Sequence, residues 1–91
     1  MELKNKQRIA IVGAGFIGKS VIRSQLAMGN VVSVLDRHIC PDEFALKVSW
    51  TASNIHNEDS LDQVLHGASI AYYLLASTVP GDQHLILLMR A

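Results

Sequence analysis

The eight residues "GAGFIGKS" (13–20) constrain this chain more than any other stretch, because they satisfy two phosphate-binding spacings at once. Gly13, Gly15 and Gly18 make G-x-G-x-x-G, the dinucleotide-binding turn. The same residues make G-x-x-x-x-G-K-S, the P-loop of nucleoside triphosphatases, with Lys19 and Ser20 in the key places. Either loop needs a strand before it and a helix after it. The apolar run "RIAIV" supplies a buried strand. "FIGKSVIRSQLAM" supplies the helix, with Ile17, Val21, Ile22 and Leu26 near helical spacing and Gly29-Asn30 as its stop.

The alternation continues down the chain. "VVSVLD" reads as a second strand, rich in β-branched residues and ending in an acid. "HICPDEFAL" reads as a loop with a helical turn after Pro41, and "KVSWTA" as a weak third strand. "NEDSLDQVLHG" reads as a short helix, acidic where the helix dipole favours acids and closed by Gly67. "SIAYYLLAS" is a fourth strand, apolar on both faces, and "QHLILLMRA" after "TVPGD" reads as the start of another helix. Strands alternating with helices predict an α/β fold, part of a doubly wound parallel sheet in the order 3-2-1-4. The whole chain, 1–91, is expected to form one dinucleotide-binding domain cut short before its second half.

Ninety-one residues suffice for one small core, and 49% hydrophobic residues supply it. Eight basic residues balance eight acidic ones, which gives no basic stripe for nucleic acid and no acidic tail for a basic partner. The lone Cys40 allows no internal disulfide and fits a reducing compartment. The charged start, Met1 to Arg8, is followed by only a brief apolar run, too short for a signal peptide or a membrane span, so a cytoplasmic protein is expected. His38, His56, His66 and His84 share no ligand spacing, and no zinc site is expected from them.

Asp36 weighs between the two loops. Dinucleotide binding needs an acid at the end of the second strand, roughly 20 residues past the glycines, to hold the adenosine ribose hydroxyls. Asp36 closes "VVSVLD" at about that distance. The P-loop alternative would set the bulky Phe16 and Ile17 in a loop whose amides wrap a phosphate, and no water-positioning residue or arginine finger is evident. The dinucleotide turn is favoured, with NAD as the first cofactor and NADP as the second. The P-loop nucleotide binder is kept as the minor alternative.

With these residues in place, "IAIVGAGFIGKSVIRSQLAMGNVVSVLD" resembles the opening of the extended short-chain dehydrogenases, the NAD-dependent nucleotide-sugar epimerases and dehydratases. The resemblance runs on through "SNIHNEDSLDQVLHGASIAYYLLAS" and covers the first half of a family member. It implies that Gly13, Gly15, Phe16, Ile17 and Gly18 form the pyrophosphate turn and that Asp36 is the ribose acid, with Arg37 leaving room for a 2′-phosphate. It places Asn54 and Ile55 at adenine, and Leu75, Ala76 and Ser77 against the middle of the cofactor. Several positions depart from the family pattern. Val12 stands where the family usually has glycine, Asn54 replaces an acid, and Tyr73 and Leu75 replace the His and the first Ala of His-Leu-Ala-Ala.

The family's catalytic Tyr-x-x-x-Lys falls beyond Ala91, and Tyr72 and Tyr73 are followed four residues on by Ala76 and Ser77. The chain by itself is therefore expected to bind cofactor without catalysis. A rival of another class is the small regulatory nucleotide-sensing domain of the kind that gates potassium transport, which carries a similar glycine turn and strand-end acid. The fourth strand, lacking a fifth beside it, is expected to leave an open edge that self-associates or takes a partner strand.

Overall fold

The computed structural model describes residues 6–75 and 85–90, with Leu75 and 85–90 as backbone. The elements run β1 (Arg8–Val12), α1 (Phe16–Ala27), β2 (Val31–Asp36), a 3-10 turn (Asp42–Phe44), β3 (Ser49–Ala52), α2 (Glu58–Leu65), β4 (Ile70–Leu75) and β5 (Leu85–Arg90). They build one sheet in the order β3-β2-β1-β4-β5. The first four strands are parallel in the expected 3-2-1-4 order, with Ile9 beside both Val32 and Ile70 at the centre.

The strand sequences explain why both faces are covered. Successive side chains point to opposite faces of a strand. Ile9 and Ile11 of β1 join Val32 and Val34 of β2, Ile22 of α1 and Phe44 in one core cluster. Ala10 and Val12 join Leu35, Ala71 and Val64 of α2 in the other. A parallel sheet sandwiched this way reads as a continuous apolar run, and β1 does. Trp50, assigned no site role, packs on the first cluster and stacks on Phe44 with ring centroids 6.5 Å apart.

The helix ends follow their residues. Gly29, in the left-handed conformation at φ 83°, turns the chain out of α1, and Asn57 caps α2 by accepting from the Ser60 N–H at 2.9 Å. The carboxyl ends of β1 and β2 therefore meet the start of α1 on one edge of the sheet. That edge carries the site.

The last stretch differs from expectation. Within "QHLILLMRA", the described residues Leu85–Arg90 are a strand, antiparallel to β4 with Tyr72 beside Leu88, and not a helix. The physical reason lies at the neighbouring edge, because unpaired β4 amides and carbonyls are better satisfied by a strand than left beside a helix. The fourth-strand edge that was expected to stand open is occupied by β5. Among the described residues, the outer strands are β3 and β5.

Candidate functional site

The turn between β1 and α1 is short because glycine permits it. Gly13 adopts φ 92°, a conformation L side chains rarely take, and its N–H donates to the Leu35 carbonyl at 2.8 Å. Gly18 sits in the first turns of α1 directly over this bend. A Cβ there would meet the Gly13 carbonyl oxygen at 2.6 Å, so only glycine lets helix and strand approach this closely.

Gly15 has a different setting. It is the N-cap of α1 at φ −76°, and an added Cβ would find nothing within 4 Å. No packing or backbone demand inside the protein requires glycine at that point. The first turn of α1 also has no side-chain cap and no acid. Helix N-termini carry free N–H groups and a positive dipole end, which together receive phosphate. Open space over Gly15 is where a pyrophosphate would approach the backbone.

The helix start also bears on the two loop readings. α1 begins at Phe16, and the Lys19 N–H already donates to the Gly15 carbonyl at 2.9 Å. Gly18, Lys19 and Ser20 thus lie inside the helix, and the loop before it is too short to encircle a triphosphate as the P-loop does. Phe16 and Ile17 project into solvent at the helix start, with Phe16 91% exposed.

Asp36 closes β2 beside this turn with a side chain only 14% exposed. Its Oδ1 accepts the Ala14 N–H at 2.9 Å, which ties the strand-end acid to the glycine turn. Its Oδ2 accepts the His38 N–H at 2.9 Å and lies 3.1 Å from His38 Nδ1. Burial pushes the carboxyl up, but the Ala14 and His38 hydrogen bonds outweigh it and hold Asp36 below the usual carboxylate range. It is ionised at neutral pH.

A groove of about 550 Å³ opens beyond Asp36, within the range of small-ligand sites. It brings together Gly13, Asp36, Arg37, Asn54 and Ile55 from the expected set. Gly15, Phe16, Ile17 and Gly18 stand at the adjoining helix end rather than in its lining. Asn54 Oδ1 accepts the His56 N–H at 2.8 Å, which fixes the turn after β3. Leu75 ends β4, while Ala76 and Ser77 lie outside the described residues.

Sequence reasoning passed over Ser53, His56 and Leu74, which also line the groove. Ser53 had a signal: β3 runs in register with β2, Ala52 beside Asp36, so the next residue must follow the acid to the site. The Ser53 N–H donates to the Asp36 carbonyl at 2.9 Å. His56 and Leu74 had none, because their places depend on the turn and on the β1–β4 register. Cys40 has no activating neighbour; burial and Asp42 both push its thiol up.

No protein-family model and no curated protein matches the sequence. Solved structures do match. Vestitone reductase from alfalfa (Medicago sativa) is similar with a TM-score of 0.66 at 22% identity, covering 80% of this chain and 26% of that one. UDP-N-acetylglucosamine 4-epimerase from Bacillus cereus is similar with a TM-score of 0.62 at 27% identity, covering 84% of this chain and 25% of that one. The chain spans about a quarter of the length of these structures.

Proposed function

We propose that this chain, which has the N-terminal fold of the extended short-chain dehydrogenases, binds a nicotinamide dinucleotide at the carboxyl ends of β1 and β2. The sheet order reverses between β1 and β4, and doubly wound sheets take their ligands at such a switch point. The carrying observation is the Asp36–Ala14 hydrogen bond, which sets a partly buried carboxylate against the uncapped start of α1. One group takes ribose hydroxyls and the other takes pyrophosphate.

The adenine end would lie in the groove between Arg37 and Asn54-Ile55. Asp36 favours NAD, since a 2′-phosphate would be set against its charge, while Arg37 offers a phosphate its one cation at the strand end. When bound, the nicotinamide supplies hydride transfer. The residues seen here bind and orient the cofactor. The likeness to an epimerase and a reductase supports an origin among nucleotide-sugar epimerases, dehydratases or related reductases. No described helix is long and apolar enough to cross a membrane.

Thermal melting tests the assignment. A ligand that binds only the native state raises its melting temperature. NAD should raise it and magnesium-ATP should not, Lys19→Ala should leave the NAD effect intact, and Asp36→Asn should weaken it. Magnesium-dependent ATP stabilisation that disappears with Lys19→Ala would return the site to the P-loop reading. With nucleotide sugars and NAD, the 91-residue chain alone should show no turnover, because neither Tyr72 nor Tyr73 has a lysine four residues on. Turnover by the purified chain would contradict this.

A further inference from the structure

The Asp36 carboxylate has little room left for a ribose. A carboxylate offers about four acceptor directions over its two oxygens. Oδ1 gives one to the Ala14 N–H, while Oδ2 faces both the His38 N–H at 2.9 Å and the His38 ring at 3.1 Å. A ribose diol that engages both oxygens must displace a partner from Oδ2. The two backbone N–H groups are fixed by the chain, so the ring is the partner that can leave. It is 77% exposed and free to rotate outward, whereas the carboxylate it covers is 14% exposed.

We infer that His38 competes with the cofactor ribose for Asp36, and that the competition depends on the imidazole proton. A protonated ring at 3.1 Å makes a charge-assisted contact with the carboxylate, roughly twice as strong as a neutral one. A neutral ring offers only a neutral donor, or a lone pair that the carboxylate repels, and yields to the diol. Dinucleotide affinity therefore falls as His38 gains its proton, and bound dinucleotide lowers the proton affinity of His38 by the same factor. His38 lies outside the glycine turn and the strand-end acid, and it sets the acid's availability without belonging to either.

Among the described residues, the charged and titratable groups facing this region are few. Asp36 and Arg37 come from the end of β2, and His56 comes from the turn after β3. Trp50 of β3 donates to the His38 carbonyl at 2.8 Å, holding the backbone while the ring stays mobile. Among the described residues, Asp36 is the acid within ion-pair distance of the ring. His56, the imidazole that lines the groove itself, is the control.

The inference rests on dinucleotide binding, and the test separates the two. NAD affinity is measured by calorimetry at about pH 5.5 and about pH 7.5, which bracket the ordinary imidazole range, for the chain and for His38→Ala. That variant keeps the backbone N–H bond to Asp36. The chain should lose affinity at least about fivefold at the lower pH, the low end of usual coupling between two sites. His38→Ala should lose little and bind tighter than the parent at low pH. NAD should also move the His38 ring titration, followed by NMR, to lower pH. Equal pH profiles in the two proteins would overturn the inference alone and assign the dependence to His56 or Asp36. No NAD binding at either pH would overturn it together with the dinucleotide assignment.

Discussion

Gly15 and Gly18 are both motif glycines, but the structure gives them separate duties. Gly18 is needed by the fold, since its absent Cβ clears the Gly13 carbonyl oxygen by a margin no methyl can share. Gly15 is not, since space around it is open and its φ of −76° suits any residue. Gly18→Ala should therefore lower stability by about 1–3 kcal/mol, the usual range for overpacking a close contact. Gly15→Ala should leave stability within about 0.5 kcal/mol, as unstrained surface changes do. It should still weaken NAD binding at least about tenfold, or 1.4 kcal/mol, because the methyl enters the pyrophosphate's path. Urea melts and NAD titrations of the two variants check the separation. Equal loss of stability in both would deny Gly15 a ligand role.

At the scale of elements, the terminal strand carries the clearest consequence. β5 closes the outer edge of β4 but becomes an outer strand itself, and five of the six residues in "LILLMR" are apolar with no proline. Edges of this kind template pairing with another chain unless charge or proline interrupts them. β3, at the other border, is only four residues long and offers less to pair with. Self-association of a second copy is therefore expected through β5 rather than β4, and Leu87→Lys should reduce it. Sedimentation velocity reads the outcome directly. A concentration-independent monomer in the parent chain would refute it.

The same strand shows where sequence reasoning stops. β1, α1, β2, α2 and β4 were legible because each has a periodicity and a terminating residue that agree, as with Gly29 after α1 or Gly67 after α2. "HLILLMR" has neither. A short apolar run of leucines suits helix and strand alike, and only the vacant edge of β4 decides between them. The site divides the same way. Asp36 was legible from its distance to the glycines, whereas its bonds to Ala14 and His38 depend on how β2 ends beside the turn. His56 and Leu74 reach the groove through a turn and through strand register, which no local pattern announces.

At the scale of the whole molecule, two core clusters on opposite faces of one sheet leave the carboxyl ends of β1 and β2 as the place where loops, an uncapped helix and a partly buried acid converge. We expect a dinucleotide to lie along these strand ends, with pyrophosphate at Gly13–Gly18, ribose at Asp36 and adenine at Asn54-Ile55. Backbone amide NMR shifts during NAD titration test it most directly. Saturable shifts should concentrate at residues 13–18, 36–38 and 53–56, with α2 beyond its first turn unmoved. Absence of shifts with NAD, or shifts produced instead by magnesium-ATP and centred on Lys19 and Ser20, would contradict it.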